Sequence, residues 1–436
     1  MQTEHHDVII VGAGISGIGA ACHLQRECPG KDYVILEGRA AIGGTWDLFR
    51  YPGIRSDSDL YTFGYDFKPW HGQPIATADE ILRYLNEVVE ENDLTPNIRF
   101  NHWVNTASWS TEDACWQVIA TRGDDSQVRI TGNFLFMCQG YYDYAGGYKP
   151  DFPGEDTFKG TIVHPQQWPD DLDYTGKRMV VIGSGATAAT IVPAVADKVA
   201  HVTQLQRSPS YYVSMDNSVE EPMIEELRAL DVPLDWIHGI KKRQALAFGE
   251  DITARSMADP AATKTELVDL VAAELPEGYD VKTHFTPEYD PWKQRLCLLP
   301  DGDLFKAIKS GKASMVTDHI DRFVENGILL KSGEIIEADI IVSATGIELC
   351  GLGNIAFDID GKKVDLPERW TYRGVMVSDI PNLAWIFGYI RTSWTMRSDM
   401  IAHYICRVLN HMDEQGVRQV TPRLRPEDQG MNGKGF

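Results

Sequence analysis

The sequence predicts an α/β chain of two Rossmann-like dinucleotide-binding domains with a helical insertion. Three observations carry this. A glycine-rich turn lies between an apolar strand and a helix near the N-terminus, and a second copy of that arrangement begins about 170 residues later. Residues 210–287 then show helical periodicity and no glycine-rich turn.

In the first unit, Asp7–Val11 reads as a strand, Gly12–Gly17 as a tight turn, Ile18–Glu27 as a helix and Tyr33–Leu36 as a second strand. The turn, Gly12-Ala13-Gly14-Ile15-Ser16-Gly17, has the G-x-G-x-x-G spacing. Gly12 permits the turn, Gly14 lets a pyrophosphate approach the backbone, and Gly17 lets helix and strand pack closely. The helix N-terminus then faces the phosphates. Glu37 ends the second strand, where a carboxylate can hold both ribose hydroxyls, as suits FAD.

The second unit repeats the pattern: strand Arg178–Ile182, turn Gly183-Ser184-Gly185-Ala186-Thr187-Ala188, helix Ala189–Val199, strand Val202–Leu205. At the position matching Glu37 it carries Arg207. An acid there would repel a 2′-phosphate and an arginine can pair with it, so this domain is expected to bind NADPH.

Helical segments are expected over Ile224–Leu230, Ile237–Ala247 and Lys264–Leu275, covering a cleft, with Trp236, Phe248 and Phe285 in the core. Gly327–Gly346 reads as a hairpin returning to a buried strand. The C-terminal part is expected to pack on the first domain, and Arg423–Phe436 to fray. The expected division is 1–145 and 336–436 for the FAD domain, 150–212 and 289–335 for the NADP domain, and 213–288 for the insertion.

Composition bounds the function. The 436 residues carry a formal charge of −22, which argues against a nucleic-acid surface. The basic run Lys241-Lys242-Arg243 reads as a solvated face, so membrane contact is not expected. No apolar run approaches transmembrane length, and the N-terminus enters a strand without a signal-peptide pattern, so a cytoplasmic location is expected. Seven scattered cysteines fit reduced thiols, and no Cys/His grouping has zinc spacing, so no metal is expected.

Phe158-x-Gly160-x-x-x-His164-x-x-x-Trp168, just before the second turn, resembles the F-x-G-x-x-x-H-x-x-x-W fingerprint of type I Baeyer–Villiger monooxygenases. GGTWDLFRYPGIRSDSD (43–59), HPQQWPDDLDY (164–174), VVIGSGATA (180–188), LQRSP (205–209), QRLCLLPDGDLFKAI (294–308), ADIIVSATG (338–346) and SWT (393–395) resemble the ethionamide-activating subgroup of that family. The resemblance covers nearly the whole chain. It departs at Arg391-Thr392, where the subgroup has a small polar pair, and members continue beyond the point where this chain stops, so a further C-terminal segment is an expectation.

The resemblance implies FAD and NADPH as cofactors. It places Ser16, Gly44, Thr45, Trp46, Asp47, Leu48, Arg55, Ser56, Asp57, Val104 and Ser208, besides both glycine turns, Glu37 and Arg207, at the cofactors. Arg295 is the implied catalytic arginine, stabilising a C4a-peroxyflavin anion and then the tetrahedral adduct, with Asp57 orienting it. His164 is expected to serve interdomain geometry. The implied reaction inserts one atom of molecular oxygen into a hydrophobic ketone, giving an ester or lactone, with sulfoxidation of thioethers or thioamides as a second activity. The insertion and Tyr389–Met396 are expected to line the substrate pocket. The alternative is a flavin-containing monooxygenase limited to S- or N-oxygenation. A disulfide reductase fails because Cys22 and Cys28 lie on and beside the first helix, before the acid-ended strand. Oligomeric state is not legible.

Overall fold

A computed structural model describes residues 4–218, 222–294, 296–389 and 392–431. Two sheets organise them. In the larger, strand Glu4–Val11 runs parallel to Tyr33–Leu36 on one side and to Gln127–Met137 on the other. Val8 and Ile10 enter one apolar cluster and Ile9 and Val11 another, so the strand is covered on both faces, as parallel sheets require. Gln127–Met137 continues into an antiparallel meander with Cys115–Arg122 and His102–Ser110.

The smaller sheet is five parallel strands among the described residues, in the order Ala313–Thr317, His201–Gln206, Arg178–Ile182, Ile340–Ser343, Thr161–Val163. Ile340–Ser343 lies beside the first strand of the second unit, so the expected division at 336, which gave it to the first unit, is corrected. The reason is physical: Arg178–Ile182 needs an apolar neighbour on each side, and all four residues of Ile340–Ser343 are buried.

Two connections join the units. Tyr142–Gly147 leads out of the first and Ile347–Leu349 leads back, and they pair antiparallel. The C-terminal part does return to the first unit. Ala356–Ile359 pairs with His102–Ser110, Leu383–Trp385 pairs with Gln127–Met137, and Ile401, Ile405 and Leu409 of the C-terminal helix, Trp394–Gln415, join the cluster of the first helix.

Both glycine turns enter their helices earlier than the periodicity suggested, at Ile15 and Ala186. The insertion contains helices Pro222–Ala229, Leu234–Ala258 and Pro260–Glu274. Phe285 is buried as expected, whereas Trp236 and Phe248 are 72% and 56% exposed. They lie on the outer side of a helix whose inner side presents Ile237, His238, Lys241 and Ile252. No described helix is long and apolar enough to cross a membrane.

Candidate active site

The first turn separates its glycines by role. Gly12 has φ +102°, and a Cβ there would lie 2.8 Å from the Cys138 carbonyl oxygen. A Cβ on Gly17 would lie 1.9 Å from the Gly12 carbonyl oxygen. The chain's own packing therefore requires both. Gly14 is different: a Cβ there would make only an ordinary contact, with Gly44 Cα at 3.6 Å, and the residue lines the cavity described below, at the N-terminus of helix Ile15–Glu27.

Glu37 is buried against this turn. Ala13 N–H donates to its Oε2 at 2.7 Å and Arg39 N–H to its Oε1 at 2.9 Å. Burial raises its pKa, and the two backbone donors pull it partly back. Each oxygen retains lone-pair capacity for a ligand hydroxyl.

The second turn repeats the division of labour. Gly183 has φ +142°, and its Cβ would meet the Ala344 carbonyl oxygen at 2.4 Å, whereas a Cβ on Gly185 would meet nothing within 4 Å. Ala188 is fully buried. Ser184 bonds to the Ser210 hydroxyl at 3.0 Å, and its carbonyl accepts from Tyr212 at 2.8 Å. Arg207 and Ser208 are exposed just past strand His201–Gln206.

The glycine- and aromatic-rich segment 43–59 bridges the two turns. Gly43 N–H donates to the Ala13 carbonyl at 3.0 Å. Thr45 and Tyr142 share a hydroxyl hydrogen bond, and Asp47 pairs with Arg39 and Arg50. Trp46 meets Phe63 edge-on. Farther along, the buried Tyr51 hydroxyl bonds to Thr187, its pKa pushed up to about 12 by burial. A Cβ on Gly53 would lie 2.6 Å from Ala194 Cβ, so the segment packs directly on the second unit's helix. Arg55 pairs with Asp303 at 2.5 Å, and Ser56 Oγ donates to the Ser58 carbonyl at 2.6 Å.

A cavity of about 620 Å³ runs between the turns. Of the residues expected at the cofactors, Gly12, Gly14, Ser16, Glu37, Gly44, Thr45, Trp46, Arg55, Ser56, Asp57, Val104, Ala186 and Thr187 line it. Gly17, Asp47, Leu48, Gly183, Ser184, Gly185, Ala188, Arg207 and Ser208 do not. Arg295, the implied catalytic arginine, and Arg391 lie outside the described residues. Tyr389, Thr392 and Trp394 line the cavity, and no described residue of 213–288 does. The long insertion helix instead packs outside the Leu60–Phe63 turn, with His238 bonded to the Trp70 carbonyl at 2.9 Å.

Sequence reasoning placed Trp394 at the pocket but missed the rest of an aromatic wall. Tyr141 stacks on Trp394 with centroids 5.0 Å apart, Phe387 contacts both, and Tyr142 stacks on Tyr144. All five line the cavity. The run Tyr141-Tyr142-Asp143-Tyr144 after Gly140 was the available signal. A glycine in each turn that the chain's own packing does not require, a buried acid just past strand Tyr33–Leu36 and an aromatic-walled cavity between the turns fit a flavin dinucleotide.

A family described as flavin-binding monooxygenase-like matches residues 58–223, and an NAD(P)-binding Rossmann-like domain matches residues 10–78. The FAD-containing monooxygenase EthA of Mycolicibacterium smegmatis is 49% identical over 97% of this chain and 85% of its own length. The chain belongs to the FAD-containing monooxygenases. The probable FAD-binding monooxygenase AlmA of Acinetobacter baylyi is 48% identical over 96% of this chain and 84% of its own. Among solved structures, an open crystal structure of cyclohexanone monooxygenase aligns with a TM-score of 0.81 at 22% identity, covering 98% of this chain and 91% of that one. An oxidised steroid monooxygenase bound to NADP gives 0.78 at 22% identity, covering 97% and 88%. At that identity the likeness is one of fold.

In this FAD-containing monooxygenase the Phe158–Trp168 fingerprint sits at the crossing between units, away from the cavity. The His164 ring packs against Gly147, where a Cβ would lie 1.9 Å from it, and its Nε2 bonds to the Gly346 carbonyl at 3.2 Å. Gln166 and Gln167 donate to the carbonyls of Asp143 and Ala145. Burial lowers the His164 pKa, with the Gly346 bond opposing. Trp168 meets Tyr174 edge-on.

Proposed function

We propose that this enzyme uses FAD and NADPH to insert one oxygen atom from O2 into hydrophobic ketones, forming esters or lactones, with sulfoxidation of thioethers or thioamides as a second activity. The observation that carries the reading is the aromatic-walled cavity between the two glycine turns, lined by Gly12 and Gly14 of the first and by Ala186 and Thr187 of the second. Bound FAD supplies the reducible ring that activates oxygen, with NADPH as the hydride source.

Each residue then has a task. Gly14 and the helix start behind it receive the pyrophosphate, and Glu37, held by two backbone donors, accepts from ribose hydroxyls. Gly185 offers the matching approach to the second nucleotide, and Arg207 pairs with its 2′-phosphate. Segment 43–59 fixes the spacing of the two sites through Tyr51–Thr187 and Arg55–Asp303. Tyr141, Phe387 and Trp394 exclude water from the reacting region. Arg295 stabilises negative charge developing on the attacking oxygen and on the former carbonyl oxygen, and Asp57 orients it.

The test mixes FAD-loaded protein with NADPH or NADH in air, with phenylacetone or a methyl aryl sulfide, and reads products by mass spectrometry. Ester from the ketone, with NADPH preferred, supports the reading. Arg295→Ala should then abolish ester while leaving flavin reduction intact. Sulfoxide without ester from a broad ketone panel would place the enzyme with monooxygenases limited to S- or N-oxygenation.

A further inference from the structure

On the side of the first helix turned from the cavity, two helices bring four chemistry-bearing side chains together. His23 and Glu27 are one turn apart on helix Ile15–Glu27, and Asp399 and His403 are one turn apart on the C-terminal helix. Glu27 Oε1 lies 3.0 Å from His23 Nδ1 and 2.6 Å from His403 Nδ1. These three ligand atoms all lie within 4.8 Å of one another. His23 Nε2 lies 3.2 Å from Asp399 Oδ1, and both of those side chains are about 95% buried.

We propose that His23, Glu27 and His403 form a binding site for a divalent transition-metal ion, with Zn²⁺ the best match. Proton accounting supports it. A neutral imidazole carries one N–H, yet His23 has a carboxylate at each ring nitrogen, so without a cation one contact lacks its proton unless the ring is charged. With a metal on Nδ1, the Nε2 proton goes to Asp399 and both nitrogens are satisfied. That carboxylate–histidine–metal arrangement is how proteins orient imidazole ligands.

The donor set suits the ion. Imidazole and carboxylate ligands bind zinc at about 2.0–2.1 Å, which places tetrahedral ligand atoms about 3.3 Å apart. For tetrahedral ligation the Glu27–His23 contact, now 3.0 Å, opens by about 0.3 Å and the Glu27–His403 contact, now 2.6 Å, by about 0.7 Å, the larger shift falling on His403, whose side chain is 48% exposed. Its solvent side leaves a fourth position to water. The site joins two helices whose N-terminal ends, at Ser16 and Trp394, line the cavity. Its spacing was invisible in the sequence because the partners lie 376 positions apart.

The test titrates chelator-dialysed, FAD-loaded protein with zinc chloride by calorimetry and follows thermal unfolding. One equivalent should bind and raise the melting temperature. His403→Ala should weaken binding at least about tenfold and Asp399→Asn by about 10–100-fold, each with flavin absorbance unchanged. Should Asp399→Asn fail to fold, the half-exposed His403 variant still decides. His411→Ala, on the same helix with its side chain 69% exposed, should change nothing. The N-terminal pair His5 and His6 is the competing site, so His5→Ala/His6→Ala must leave the stoichiometry intact. No zinc uptake in excess metal, or uptake that follows His5 and His6 and ignores His403, would overturn the proposal.

Discussion

The indole N–H of Trp394 donates to the Ser16 hydroxyl at 2.8 Å, tying the start of the C-terminal helix to the first glycine turn across 378 positions of sequence. Ser16→Ala strips the donor of its acceptor and should cost about 1–3 kcal/mol if the indole stays dry. Trp394→Phe removes the donor itself, so the double variant should recover part of the loss. Melting curves of the four FAD-loaded proteins measure this, and strict additivity would refute it.

Gly14 and Gly17 should respond oppositely to the same substitution. Gly14→Ala meets nothing nearer than 3.6 Å, so the flavin-free protein should melt within about 1 kcal/mol of the original while FAD affinity falls at least tenfold. Gly17→Ala drives a methyl to 1.9 Å from a carbonyl oxygen and should impair folding itself. Flavin titration beside flavin-free melting separates the two outcomes.

Arg207 is exposed at a strand end and outside the cavity lining, so its removal should leave folding and flavin content unchanged. Arg207→Ala should raise KM for NADPH about tenfold or more with little change for NADH, consistent with loss of a charge-assisted contact. Equal losses with both nucleotides would argue against a 2′-phosphate contact.

His164 should make stability pH-dependent. Its pKa in the fold lies below 6.5, so the unfolded chain binds the proton more readily. The stabilisation is complete above pH 6.5 and is lost as pH falls from there through the folded value. His164→Gln should flatten that slope while lowering stability at higher pH. Difference melts between about pH 5 and 8 check it, because His238 and His284, whose pKa values burial also lowers, are common to both proteins.

What could be read from the sequence was local. Strands Tyr33–Leu36 and Arg178–Ile182 match their expected bounds, because apolar runs ending in a glycine turn or an acid are signals carried within a few residues. Both helix starts were placed three residues late. Gly14 and Gly185 cap them without a side-chain hydrogen bond, so the usual Ser/Thr/Asp marker is absent. The Arg55–Asp303 pair, 248 positions apart, exists only through the packing of two units. Trp236 and Phe248 misled because hydrophobicity alone does not say which side of a helix a core will cover.

The paired strands Tyr142–Gly147 and Ile347–Leu349 also set an order of assembly. Everything between them is continuous chain, so the second unit can close its five-stranded sheet as soon as Ile340–Ser343 is made. The first unit opens with strand Glu4–Val11 yet lacks Ala356–Ile359, Leu383–Trp385 and the helix Trp394–Gln415 until after Ile340–Ser343 has been made. The domain begun first is thus completed last. During that interval its sheet has unpaired edges and an uncovered helix, which makes the emerging N-terminal half the part of the nascent chain most dependent on protection from aggregation.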